Sequence, residues 1–162
     1  QPNIGSLMNE DIFDVLIYLF ENYMDSDIDI IPDTDILQTE LKAAGFNSGN
    51  ISKAFEWLDI LALHEDPTFK TAHNFRIFCA EECHKLDMEC RNFILFLQGI
   101  DILDSVSREL VIDRAMAIEN KHISIEELKW VTLIVLLSQP GEELAIAHME
   151  NIIYQEASAL LN

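Results

Sequence analysis

Basic residues are scarce in this chain of 162 residues: 10 Lys and Arg stand against 29 Asp and Glu, a formal net charge of -19 at pH 7. The deficit is even, with 14 acids against 4 bases through Phe78 and 15 against 6 after it. No basic half hides behind the average. Proteins bind duplex nucleic acid largely by neutralising phosphates with Lys and Arg, so the composition argues against direct binding of DNA. Long apolar runs are also missing. The longest, Trp130 to Leu137, is about half of the roughly 20 residues needed to span a bilayer and reads as a buried helix. No basic region followed by an apolar stretch opens the chain, so neither a secretory signal nor a membrane partner is expected. Three cysteines in no disulfide-framework spacing suit a reducing cytoplasm, which is the expected location. Only five glycines occur, and there is no phosphate loop, no Gly-x-Ser-x-Gly and no His-Glu-x-x-His. Neither a catalytic residue nor a cofactor is expected.

What is present is helical patterning, on a composition that is 49% apolar and able to bury a core. A first helix is predicted over about Asp11 to Tyr23, where Asp11, Asp14, Tyr18, Glu21 and Asp25 form a polar stripe in an otherwise apolar run. A second spans Asp33 to Ala44, with Asp33 as N-cap and Gly45 as stop. A third, about Ser48 to Ala62 and capped by Asn47 or Ser48, aligns Ile51, Ala54, Phe55 and Leu58. Two helices joined by so short a turn resemble a helix-turn-helix. Phe75 to Phe78 reads as a short strand after a loop, as in the β hairpin of a winged helix, and it would bring Lys70 and Arg76. Four further helices are predicted: Ala80 to Gln98, then Val106 to Ile118 capped by Asp104 or Ser105. Next come Ile125 to Ser138, behind a Ser124/Glu127 capping box, and Glu142 to Ala157. The expected fold is therefore all-α, about seven helices, with an N-terminal helix-turn-helix or winged-helix-like unit and a short β element packed on a C-terminal helical bundle. The expected organisation is a leader over residues 1–7, with Met8 the natural start, a first unit over 8–78 and a bundle over 79–162.

Two clusters invite a metal, and spacing rejects both. Asp25, Asp27, Asp29 and Asp33 fall at positions 1, 3, 5 and 9 of a calcium-loop pattern, but Ile30 takes the place of the required Gly and Ile36 that of the bidentate Glu. Cys79, Cys83, His84 and Cys90, set on one helix, stretch over about 16 Å, too far for zinc bonds near 2.3 Å. No metal is expected. As a DNA reader the third helix would present Ser48, Asn50, Ser52, Lys53, Glu56 and Asp59, and its acids would face phosphates. A helix-turn-helix turned toward protein fits better. Trp57 lies off the main stripe, beside Lys53 and Ile60; a tryptophan on so apolar a helix is more often core, while Trp is also favoured at interface hot spots. The candidate interaction surface is accordingly Asp25, Asp27, Asp29, Asp33, Asp35, Glu56, Trp57 and Asp59, suited to a basic protein partner.

The segments DIFDVLIYLFENY, ELKAAGF followed by ISKAFEWLDIL, FRIF, LDMECRNFILFLQGIDILD, RELVIDRAMAIE and IEELKWVTLIVLLSQPG occur in an order that resembles the Smg family of bacterial proteins. The likeness runs from Met8 to about Tyr154. It implies a cytoplasmic protein without assigned activity or catalytic residues, encoded beside a DNA-processing protein and a topoisomerase-like zinc protein, in a region that also holds translation and tRNA-modification genes. Family members carry Thr before a Pro-Glu-Glu that opens the fourth helix. Here the stretch is Cys79-Ala80-Glu81-Glu82, and a side-chain cap is lost. The functional expectation is a non-catalytic adaptor or regulator that binds a protein, in a pathway connected to DNA processing. Weak nucleic-acid binding through the winged unit, or an accessory role in translation, is the alternative.

Overall fold

The computed structural model describes residues 11–24, 33–63, 76–139 and 141–161. Among them it is helical throughout, with eight α-helices and no paired strands. The chain divides into two compact units, Gln1–Ile60 and Leu61–Asn162.

In the first unit, α1 (Ile12–Leu19) starts at Asp11, whose Oδ1 accepts the Phe13 N–H at 2.9 Å while its own N–H donates to Asp14 Oδ2 at 3.2 Å. The helix runs on into a π-helical turn, Phe20–Met24. Ile12, Phe13, Val15, Leu16, Leu19 and Phe20 are buried, as the apolar run predicts. Asp33 caps α2 (Thr34–Ala43), accepting from the Thr34 N–H at 2.8 Å. Gly45, at φ +106°, ends it. There the Gly45 N–H donates to Lys42 O and the Phe46 N–H to Leu41 O, both at 3.1 Å, which is the paired C-terminal closure that needs a left-handed residue. Phe46 then stacks edge-on against Tyr18 of α1, with ring centroids 5.4 Å apart. Of the two candidate caps for α3 (Ser48–Leu63), Asn47 serves: its Oδ1 accepts the Asn50 N–H at 2.8 Å.

The second unit departs from the sequence reading twice. The helix predicted over Ala80 to Gln98 is two: α4 (Ala80–Lys85) and α5 (Met88–Gly99). Leu86 is extended, pairs as an isolated bridge with Ile123, and leaves Asp87 to cap α5 through the Cys90 N–H at 2.9 Å. The β element is the second departure. Arg76 to Phe78 form no strand, so the wing is not supported, and the rest of the predicted hairpin lies outside the described residues. The lost cap at Cys79 is offset, because Glu82 Oε1 accepts the Cys79 N–H at 2.9 Å.

The remaining helices follow their predicted caps. Asp104 opens α6 (Ser105–Met116) in a reciprocal box with Ser107, and Ser124 opens α7 (Ile125–Leu137) in one with Glu127. α8 (Glu143–Leu161) follows Gly141, at φ +82°. The centre of this unit is α7, which touches α5, α6 and α8 and is buried from Val131 through Leu136. A helix apolar all round must be covered all round. Its one hydroxyl in that run, Thr132, is satisfied by donating to Leu128 O at 2.8 Å.

Candidate interaction surface

The predicted surface residues meet different fates. Asp25, Asp27 and Asp29 lie outside the described residues. Asp33 and Asp35, on the first turn of α2, are exposed, as are Glu56 and Asp59 on α3. Trp57 is 4% exposed and is buried with Ile51, Ala54 and Leu61 on the apolar side of α3. Its bulk serves the core, and the exposed side of that helix from Ser52 to Asp59 is polar and charged.

Basic side chains, by contrast, are drawn inward. Every charged side chain that is buried among the described residues is basic: Arg108, Arg114 and Lys129. Lys129 lies 3.6 Å from Glu126 and over the Phe93 ring. Arg114 Nε is 3.0 Å from Asp113 Oδ2. Arg76, expected on the hairpin of the wing, is held inside the second unit instead. Its Nη1 and Nη2 donate to both oxygens of Glu82 at 3.0 and 2.7 Å, its Nε to Glu109 Oε2 at 2.8 Å, and its guanidinium lies over Phe78. Glu109 Oε2 also accepts from Arg108 Nε at 2.9 Å, and Arg108 reaches Gln98 Oε1 at 3.1 Å. Burial alone would raise the Glu82 pKa, but hydrogen bonds from Arg76 and the Cys79 N–H outweigh it and hold the carboxyl below its usual range. Such forked pairing leaves no guanidinium edge free for phosphate.

The cysteine and histidine cluster is a joint between chain segments. Lys85 Nζ donates to the carbonyls of Met116, at 2.9 Å, and Ile118, closing the C-terminal end of α6. Ile123 N–H donates to Lys85 O at 3.0 Å, and His122 Nδ1 lies 3.1 Å from His84 O, which fixes the proton on Nδ1 because a carbonyl only accepts. The His84 and His122 rings are 5.6 Å apart. Cys90 is buried, its Sγ 3.3 Å from Ile123 O, and burial followed by the nearby Asp87 pushes its thiol up to about 12. A thiol kept protonated is a poor nucleophile and a poor metal ligand. Among the described residues no three His, Cys, Asp or Glu side chains are grouped to hold a metal ion, and no helix is long and apolar enough to cross a membrane.

α5 also has a partly apolar outer side. On α5, Met88, Leu95 and Phe96 are exposed while Cys90, Ile94 and Leu97 opposite them are buried. The spacing of seven and eight residues from Met88 marks a second apolar stripe, masked in the sequence by the first.

Comparison with known proteins places the chain. A family model described as "Protein of unknown function (DUF494)" matches residues 12–162. The chain is 52% identical over 148 residues to a "Protein Smg homolog" of Methylococcus capsulatus, covering 91% of this chain and 96% of that protein. The chain belongs to the Smg family. A second Smg homolog, of Nitrosococcus oceani, is 48% identical over 159 residues, covering 96% of this chain and 100% of the relative. A third, of Shewanella woodyi, is 45% identical over 156 residues, at 93% and 99% coverage. No solved structure matches this Smg-family chain. The family carries a description without a function, so what its members do must be argued from their surfaces.

Proposed function

We propose that this chain is a non-catalytic adaptor or regulator of the bacterial cytoplasm that binds a basic protein partner, in a pathway connected to DNA processing. The observation that carries the reading is the sorting of charge. Arg108, Arg114 and Lys129 are buried, and Arg76 and Lys85 are spent on Glu82, Glu109 and backbone carbonyls. Among the described bases only Lys42, Lys53 and Lys121 are exposed, against acids that include Asp33, Asp35, Glu40, Glu56 and Asp59 in the first unit and Asp87, Glu89, Asp101 and Asp104 in the second. Among the described residues the exposed surface is therefore richer in acids, relative to bases, than the composition as a whole. The field of such a surface speeds encounter with basic partners and repels nucleic acid. The link to DNA processing rests on family resemblance alone.

Affinity purification of the tagged chain from nuclease-treated bacterial cytoplasm, read by mass spectrometry, tests the reading. A basic protein retained after nuclease and released by moderate salt is the expected result. Retention that disappears with nuclease, or a gel shift of duplex DNA at submicromolar protein, would overturn it in favour of direct nucleic-acid binding.

A further inference from the structure

We propose that the outward face of α5 is the docking site for an amphipathic helix of the partner, one with a short apolar face and Lys or Arg at both ends. The inference rests on the adaptor reading and gives it a place. Four side chains form the face. Met88 is 67% exposed, Leu95 40%, Phe96 53% and Ile100, just past the helix end, 46%. At 100° per residue Met88, Leu95 and Phe96 fall within one arc, which also holds Gly99 and one exposed polar side chain, Asn92. A Cβ at Gly99 would meet nothing within 4 Å, so the fold does not require a glycine there. It leaves a flat place in the row where another backbone can approach. The row spans about 18 Å, the length of three turns of a facing helix. Helix-in-groove recognition uses anchors at this spacing.

Charge decides between occupants. At the Met88 end stand Asp87 and Glu89, both exposed, and at the Ile100 end Asp101 and Asp104. Glu142 adds to the acidity near Asp104: its own burial first, then the charges of Asp104 and Glu143, raise its pKa. Arg91, the base on α5, turns to the carbonyls of Leu86 and Asp87 at 3.0 and 3.3 Å, away from the row. Both ends of the apolar row are thus acidic. A second copy would bring these ends against their own kind, on chains that each carry -19. A helix with basic ends finds both its apolar face and its charges matched.

The test uses the full chain and two labelled synthetic helices of 18 residues, read by fluorescence anisotropy. Both have Leu at every third and fourth position; one carries Lys triplets at its ends and the other Glu triplets. The Lys-ended helix is expected to bind with salt-sensitive affinity and the Glu-ended one not to bind. The double variant Met88→Ser, Phe96→Ser is expected to lose at least tenfold in affinity with its circular dichroism unchanged, since it removes no buried group. Glu89→Gln with Asp101→Asn is expected to lose affinity at low salt only. Undiminished binding by the Met88/Phe96 variant overturns the site and leaves the adaptor reading standing. A wild-type dimer in ultracentrifugation that the same variant dissociates also overturns it, because a second copy then covers the face. Failure of the Lys-ended helix to bind sinks the inference; if purification also yields no basic protein, the adaptor reading falls with it.

Discussion

At the residue scale, two helix ends solve one problem with different residues. α2 ends at Gly45 and α5 at Asp101, which has φ +63°. The bonding repeats: Asp101 N–H donates to Gln98 O at 3.2 Å and Ile102 N–H to Leu97 O at 2.9 Å. A left-handed residue with a Cβ costs about 1–2 kcal/mol, less for Asp and Asn. Gly45→Ala is therefore expected to lower stability by about 1–2 kcal/mol by backbone strain alone, since its Cβ would meet nothing within 4 Å. At Asp101 the opposite exchange, to Gly, relieves a smaller strain but adds chain entropy of about 0.4–1 kcal/mol to the unfolded state. The two nearly cancel, and urea midpoints for the pair should show a clear loss at Gly45 and almost none at Asp101. Cys90 offers a second check at this scale. Its folded pKa is raised from 9.0 to about 12 by burial first and Asp87 second. The protonated thiol is thus favoured by folding, a contribution complete below pH 9 and lost as pH rises toward 12. Substitution of Cys90 by Ala should flatten the alkaline fall in melting temperature across that window. In the native wild type at pH 8, a thiol reagent should label exposed Cys79 while leaving Cys90 unmodified until urea unfolds the chain.

At the element scale, the Arg76 clamp joins the segment before α4 to α4 through Glu82 and to α6 through Glu109. Its groups are mostly covered, with 18% of the Arg76 side chain and 12% of Glu82 exposed, so it sits between a surface pair worth almost nothing and a buried one. Arg76→Met should cost about 2 kcal/mol, because Glu82 and Glu109 are left facing each other's charge. Adding Glu82→Gln should restore part of that loss. The pH dependence has a definite sign. Glu82 titrates below its usual 4.5, so its stabilising contribution is present above that value and disappears as pH falls through the folded pKa; the Arg76→Met variant should show a shallower acid transition. What was legible in the sequence is what is local. The caps at Asp33 and Ser124, the stop at Gly45 and the all-round burial of α7 depend on residues within a turn or two of one another. The break between α4 and α5 does not, because Cys83, Leu86 and Cys90 keep helical spacing through it and the cause is Ile123, more than 30 residues away. The place of Arg76 is hidden for the same reason: local sequence sets it beside a hairpin, whereas its partner Glu109 is 33 residues away. Trp57, off the main stripe by angle, is buried as most tryptophans on so apolar a helix are, since an indole reaches the core from the edge of a stripe.

At the scale of the whole molecule two electrostatic effects oppose one another, and salt separates them. The chain carries -19 overall, and self-repulsion of that surface destabilises the compact state. Internal pairs such as Arg76 with Glu82 and Arg108 with Glu109 act the other way. Salt reduces both, but unequally. Exposed charges farther apart than about 8 Å are largely screened at 0.15 M ionic strength, whereas pairs removed from water are screened much less. The repulsion among Asp33, Asp35, Glu56, Asp59 and the other surface acids is therefore weakened first. The melting temperature should rise as sodium chloride is increased from 20 mM to 500 mM, and scanning calorimetry at fixed pH 7 measures it. The same salt that stabilises the chain should weaken its hold on a basic partner, because the steering field is made by the charges that repel one another. Stability and affinity are thus expected to move in opposite directions along one salt series. A melting temperature that falls with salt would show that internal ion pairs outweigh the surface field, and the case for an acidic docking surface would lose its physical basis.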